Sequence, residues 1–409
     1  MKTAFVATVG KGDLGDIRKP LIKSISESNP SFILLFATPD TEGNARDICR
    51  DLSRTDSDSQ VHILVQPRED VELLFKEMLD AITAMMRNVG ASPSDVLADF
   101  TTGTKPMSAA LVLAAVKLGL GRLKYMMVRR DDADRVCIGT ERALTFEPVG
   151  LRASIMLDSA LALMRQYRFD AVRVLVSDMP DAILNTTEKA TRDGLLRLAA
   201  AYSDWDTFQH IRFRGAYERV DFSTAMALKQ FQVSGETLSA VHDLGEQSGK
   251  GKLSPLAVVD LLNNARRRAE EGKYDDATAR LYRACEMLAQ WLLSEKGINS
   301  SDVDLSKVPK ASVDWLTHCL GKSSKVEIGL HKSYQLLAEM GIPVGTRFGS
   351  DATLQILLKE RNLSILAHGA RPVQESSCRG LLGRVEAYAK EVIPDYDARS
   401  ALFRFPWSG

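Results

Sequence analysis

Cysteine is scarce in this chain: Cys49, Cys137, Cys285, Cys319 and Cys378 are the only five in 409 residues, and none forms a C-x-x-C pair. That spacing argues against a zinc site or a disulfide framework and fits a reducing compartment. An excess of either charge is also missing. Lys+Arg and Asp+Glu stand at 53 each, so no global field draws nucleic acid, and any contact with it must be local. Long apolar runs are absent too. Residues 4–9 are too short for a signal core, and Lys117 breaks MSAALVLAAVKLGLG, the nearest approach to a membrane span. The expectation is a cytoplasmic protein without membrane association. No H-E-x-x-H, EF-hand or paired-carboxylate pattern occurs, so neither a metal nor a cofactor is expected. No helix-turn-helix with a basic recognition helix occurs either, so DNA is not an expected partner.

What the chain does have is alternation. Over residues 1–150, TAFVATV, SFILLFATP, QVHILVQP and SDVLADFT read as buried strands. Helical segments such as DVELLFKEMLDAITAMMR and PMSAALVLAAVKLG separate them. A strand (RLKYMMVRR) and a hairpin (RVCIGTERALTFEP) follow. Such alternation predicts an α/β, Rossmann-like, doubly wound parallel sheet. Beyond residue 150 the strand signals stop. Residues 151–250 read as an all-α connecting region that ends in a linker at 245–255, GEQSGKGKLSP. Residues 251–409 read as a C-terminal helical bundle able to fold by itself.

Two loops in the α/β region are candidates for binding an anion. GKGDLG at 10–15 fits G-x-G-x-x-G, with Gly10, Lys11 and Gly12 in its first turn and Thr38 closing the next strand. A dinucleotide site is one reading, although Asp13 and Asp16 set two carboxylates beside the would-be phosphate. The second loop, DFTTGTKPMSAAL, leaves the fourth strand through Thr101, Thr102, Gly103, Thr104 and Lys105, with Met107 in the first helical turn. Hydroxyls, backbone N–H groups and one lysine at a helix start make an anion cradle. The plain alternative is a capped helix start, with Thr104 as the cap and Pro106 in the first turn. Both loops leave the carboxyl ends of strands, where such sheets bind ligands.

DFTTGTKPMSAAL resembles the D-x-T-G-G-T-K-x-M signature of CARF domains, the Rossmann-like sensors of CRISPR-linked defence. The first strand running into T-V-G-K-G is similar to the other half of their pocket. The resemblance implies that Gly10, Lys11, Gly12, Thr38, Thr101, Thr102, Gly103, Thr104, Lys105 and Met107 contact a cyclic oligoadenylate activator, a tetra- or hexa-adenylate. Thr102 stands where the signature has its first glycine, which leaves the ring size open. Whether the pocket also degrades its own ring is open as well.

The C-terminal region carries KERNLSILAHGARPV, in which Arg361 and His368 lie seven residues apart. On an unbroken helix that spacing puts both side chains within ~20° of each other on one face. Leu363, Ile365 and Leu366 would then pack inward. The plain reading is a histidine near a helix C-terminus, followed by Gly369 and Pro372. The chemical reading pairs a permanently charged guanidinium, Arg361, as the phosphate partner with His368 as a proton-transfer group, oriented by Asn362. Arg266, Arg267 and Arg268 could touch phosphate but read first as a solvated helix face. Trp291 and Trp315 read as packing residues.

R-N-x-x-x-x-x-H is similar to the R-x(4–6)-H motif of HEPN ribonucleases, and LLNNARRRAEEGKYDDATARLYRACEMLAQWLL resembles the helices that open their domain in Csm-type CARF–HEPN proteins. The two resemblances together imply a three-part chain: CARF sensor (1–150), helical connector (151–250) and HEPN ribonuclease (251–409). They imply a homodimer that cuts single-stranded RNA at a composite site holding Arg361, Asn362 and His368. The cut needs no metal, because the RNA supplies its own 2′-hydroxyl nucleophile. Two other readings remain. One is a non-catalytic sensor that signals to a partner protein through its helical half. The other is the NAD-dependent enzyme that GKGDLG suggests.

Overall fold

The computed structural model describes residues 3–11, 18–67, 69–127, 142–181, 184–319 and 325–407. The chain divides into two compact units, residues 1–158 with 179–188 and residues 159–178 with 189–409. The α/β character of the first and the helical character of the second agree with the expected fold class.

The first unit runs β1 (Ala4–Thr8), α1 (Lys19–Ser28), β2 (Phe32–Ala37), α2 (Glu42–Asp51), β3 (Ser59–Ile63), α3 (Val71–Val89), β4 (Val96–Asp99), α4 (Lys105–Leu118), β5 (Arg122–Met127) and β6 (Arg142–Phe146). The strands form one sheet in the order β3-β2-β1-β4-β5-β6. Its first five strands are parallel and β6 runs antiparallel to β5. Successive side chains of a strand face opposite ways, and here both faces are covered. Val6, Leu34 and Phe36 enter one core with α3 and α4, while Phe5, Ala7 and Leu35 enter the other with α1 and α2. Double burial is why these strands read as unbroken apolar runs. Caps fix where the helices begin and end: Asp70 accepts from Leu73 N–H at 3.0 Å, and Gly90 and Gly119 close α3 and α4 with φ of 72° and 68°. Strand order reverses around β1 and β4, whose register pairs Ala7 with Asp99. The loops after these two strands therefore flank one crevice at the strands' carboxyl ends.

After β6 come α5 (Val149–Arg165), α6 (Phe169–Ser177), α7 (Thr186–Asp206), α8 (His210–Tyr217), α9 (Gly235–Gly249), α10 (Pro255–Glu270), α11 (Tyr274–Ser294), α12 (Lys310–Thr317), α13 (Leu330–Glu339), α14 (Pro343–Ser350), α15 (Ala352–Asn362), α16 (Glu375–Val392) and α17 (Tyr396–Leu402). The stretch expected as a linker is helical through Gly249, because α9 starts from a Ser234 cap and keeps Val241 and Leu244 buried. Only four residues separate its last helical residue from the Ser254 cap of α10.

A single core of the second unit joins helices on both sides of that stretch. Tyr202 lies 4.8 Å from Phe405 and 4.6 Å from Trp407, and Trp205 lies 5.0 Å from Phe405, between ring centroids. Asp260 on α10 accepts from the Trp205 indole at 3.1 Å and pairs with His210 Nε2 at 2.8 Å. Asp206 pairs with Arg267 at 3.0 Å and with Arg268, and the Arg267 guanidinium lies 4.0 Å from the Phe405 ring centre. Arg267 and Arg268 are thus buried ion partners. They are neither a solvated face nor free to meet phosphate, because Asp206 and the aromatic tail hold them inside. Trp291 is buried, and Trp315 donates to Glu339 at 3.0 Å.

Candidate functional sites

In the first unit, the loops after β1 and β4 are stitched to each other. The Thr8 hydroxyl donates to the Thr102 carbonyl, and the Thr102 hydroxyl donates back to the Thr8 carbonyl. Thr102 is buried, so its side chain is turned to the strand. Gly103 adopts φ +101°, and a Cβ there would meet the Thr8 hydroxyl at 2.8 Å. Only glycine satisfies both conditions. Thr104 then caps α4, accepting weakly from Met107 N–H at 3.4 Å, and Lys105 is exposed in the first turn while Met107 goes into the core. The Lys11 ammonium is 3.0 Å from the Asp40 carboxylate, and the Gly10 carbonyl accepts from Asn44 at 3.4 Å. Thr38 is buried, its N–H held by the Thr41 hydroxyl at 2.9 Å. Gly12, Asp13 and Asp16 lie outside the described residues.

Beneath this crevice is a buried polar node. Asp99 is fully buried at the end of β4 and accepts from Thr101 N–H at 2.8 Å and from the Thr101 and Ser24 hydroxyls. Thr101 also accepts from Met126 N–H at 2.8 Å, and buried Lys124 donates to the Ser24 carbonyl at 3.1 Å. Burial pushes the Asp99 carboxyl above its ordinary pKa, while the bonds from Ser24 and Thr101 act the other way. Ser24 belongs to α1 and Thr101 to the second loop, so this one carboxylate fastens the second loop to the helix that follows the first.

In the second unit, the Arg361–His368 spacing proves not to be a helical one. α15 ends at Asn362, where the Leu363 N–H is shared between the Lys359 and Glu360 carbonyls at 3.2 and 3.1 Å. The chain then doubles back. Ser364 bridges to Arg371, Gly369 N–H donates to Ser364 at 3.1 Å, and His368 N–H donates to the Asn362 carbonyl at 3.2 Å. Gly369 comes so close to Leu363 that a Cβ would run into the Leu363 carbonyl. The expected helical face is therefore replaced by a closed loop, and the C-cap reading of His368 fails with it. Leu363, Ile365 and Leu366 are exposed instead of packed inward, because the helix that would have turned them to the core has ended.

That loop nonetheless gathers the three expected residues. Arg361 Nη1 donates to Asn362 Oδ1 at 3.1 Å, and its guanidinium lies 4.0 Å from the Tyr282 ring centre. His368 is exposed and tied to Asn362 through the backbone. Burial pushes the Tyr282 phenol above its ordinary pKa. Sequence reasoning missed Tyr282, which sits on α11 with no motif to mark it. Asp99, by contrast, was visible as the first letter of the D-x-T run. No group of three His, Cys, Asp or Glu side chains that could hold a metal ion, and no helix long and apolar enough to cross a membrane, occurs among the described residues.

Residues 247–391 match the Csm6 HEPN domain family. No curated protein sequence matches the chain. Among solved structures, the Csm6 of Enterococcus italicus bound to cyclic hexa-2′-fluoro-hexa-dAMP is similar over 100% of this chain and 99% of its own, at 12% identity and a TM-score of 0.59. At that identity the likeness speaks for the fold.

Proposed function

We propose that this chain is a CARF–HEPN protein of the Csm6 type, a metal-independent single-strand RNA endonuclease switched on by a cyclic oligoadenylate. The HEPN family match over residues 247–391 and the fold likeness to a Csm6 support the reading. The observation that carries the reading is the loop after α15, which gathers Arg361, Asn362 and His368 inside the segment that matches the HEPN family. RNA brings its own nucleophile, the 2′-hydroxyl, so the protein need only orient the strand, move protons and hold charge on the phosphate. His368 is the proton-transfer group. Arg361 has one N–H spent on Asn362, and Tyr282 steadies its planar face, which leaves donors for a bidentate phosphate contact. The products are a 2′,3′-cyclic phosphate and a 5′-hydroxyl.

The activator site is the crevice of the first unit. Gly10, Lys11, Gly103, Thr104 and Lys105 meet the ring phosphates, and Gly12 belongs to the same loop by sequence. Thr38, Thr101, Thr102 and Met107 shape the wall behind them. The ligand of the structural relative, a cyclic hexamer, supports a cyclic oligoadenylate, with a ring of four or six units. Such a ring has rotational symmetry that suits a two-fold homodimer, each subunit contributing one pair of loops. Its binding biases the paired HEPN domains toward the cutting arrangement, a coupling typically worth ~1–3 kcal/mol. The division into sensor (1–150), connector (151–250) and nuclease (251–409) belongs to the same proposal.

The test is RNA cleavage by the purified chain against each cyclic oligoadenylate in turn, with and without EDTA. Cleavage that requires one ring and survives EDTA is the expected result. Ligand binding without any cleavage would make the chain a sensor that works through a partner.

A further inference from the structure

Glu360 and Leu363 flank the Arg361–Asn362 pair, and Arg371, Val373, Gln374 and Ser377 follow shortly after His368. Together they line a cavity of about 350 Å3. Its walls are sewn to the Arg–His loop: Ile365 N–H donates to the Arg371 carbonyl at 3.1 Å, and Arg371 N–H to the Leu363 carbonyl at 3.4 Å. The far wall is anchored as well, because both oxygens of the Asp275 carboxylate accept Val373 N–H at 3.2 Å. The cavity is thus held beside the catalytic residues by backbone geometry.

Its chemistry is mixed in a particular way. Leu363 and Val373 provide apolar surface. Glu360 offers only acceptors, Arg371 only donors, and Gln374 and Ser377 both. Glu360, Arg371 and Gln374 are exposed and Ser377 is half-buried, and none of the four side chains is engaged in a hydrogen bond or ion pair among the described residues. Nearby side chains are engaged: Glu375 holds Arg379 at 2.7 Å, and Arg361 holds Asn362. Glu360 and Arg371 offset each other, so the lining has no net charge to hold a second phosphate, and the polar rim disfavours a purely apolar guest. An unstacked nucleobase meets both conditions, with its face on the apolar wall and its edge on the rim.

We propose that this cavity seats the nucleobase next to the scissile phosphate and that Glu360 reads it by accepting a hydrogen bond from an exocyclic amino group. The proposal rests on the ribonuclease reading above. Adenine, guanine and cytosine carry such a group and uracil does not, so RNA with an amino-bearing base at this position is cut faster.

The test uses the full-length chain with activator and four oligonucleotides. Each has a single cleavable ribonucleotide and differs only in the base beside it. The wild type should favour the amino-bearing bases over uracil by about tenfold or more in kcat/KM. Glu360→Gln should shrink that ratio, and Glu360→Ala should erase it. A merely structural role would slow all four substrates together. Equal ratios in the wild type and both variants would overturn the proposal while leaving the ribonuclease reading intact. The His368→Ala chain supplies a second measurement, its affinity for the same four oligonucleotides. A base preference in binding that Glu360→Ala abolishes, in a wild type that cuts nothing, would keep the subsite and reject the nuclease. No base preference in either measurement rejects the subsite.

Discussion

The crevice in the first unit and the loop after α15 hold their functional groups in opposite ways. In the crevice most polar groups are already committed to the protein itself. Thr8 and Thr102 bond each other, Thr101 is shared between Asp99 and Met126, and Thr38 is held by Thr41. What faces outward is backbone shape with exposed Thr104 and Lys105, and with Lys11 paired to Asp40. The loop after α15 is held mainly through its backbone, with Arg361 steadied on Asn362 and Tyr282 and only His368 of the three exposed. A receptor for a rigid ring gains from a shape set in advance, because ordering costs are then absent on binding. A nuclease that must admit many RNA sequences gains from a firm backbone that carries accessible groups. Substitution should therefore distort the crevice but merely subtract chemistry from the loop.

The largest effect expected from that contrast is at the loop. His368→Ala should leave fold and ligand binding intact and lower RNA cleavage by ~10²–10⁴-fold, the usual worth of general acid–base catalysis. Arg361→Lys should fail as well, since an ammonium lacks the planar fork. Thermal melts alongside cleavage rates check this, and a His368→Ala chain that cuts RNA normally would end the proposed mechanism. Next comes Asp206→Ala, which lies in neither site. It strands Arg267 in the core, leaves Arg268 to Glu271 alone, and should cost the second unit ~3–5 kcal/mol, read as a lower urea midpoint. The crevice should still bind its ligand. By the same reasoning, residues 255–409 expressed alone should not fold stably, because Trp205 and Tyr202 would be missing from around Phe405 and Trp407.

Within the crevice, Gly103→Ala puts a Cβ against Thr8 in a backbone region that disfavours side chains. A local strain of ~1–3 kcal/mol should appear mainly as weakened activator binding, with full cleavage at saturating ring. Calorimetry against cleavage titration separates the two quantities. Smallest is Lys105→Ala, which removes a charge without moving the backbone. About tenfold more activator should be needed, and the deficit against wild type should shrink as salt screens the lost charge. An unmoved activation curve would place the ring elsewhere.

Much of the fold was legible because two-faced burial writes strands as continuous apolar runs, and because Thr104 and Pro106 mark the start of α4. The glycine-rich stretch at 245–255 misled because glycine and serine signal a linker in isolation, whereas Val241 and Leu244 carry α9 through it by packing. Arg361, Asn362 and His368 were legible as a motif, but their geometry was not. A seven-residue spacing fits a helix, yet the close approach of Gly369 to Leu363 depends on tertiary structure that spacing cannot express. Tyr282 and Glu360 had no local signature at all, because their roles come from neighbours distant in sequence or from a cavity.

The aromatic tail has a consequence for synthesis. Phe403, Phe405 and Trp407 fill a core whose other wall is Tyr202 and Trp205, made some two hundred residues earlier. On the ribosome the first unit can fold as soon as it emerges, at ~5–20 residues per second. The second must wait until residue 407 has cleared the exit tunnel. A chain stalled or truncated before that point carries Arg361 and His368 on an unclosed scaffold.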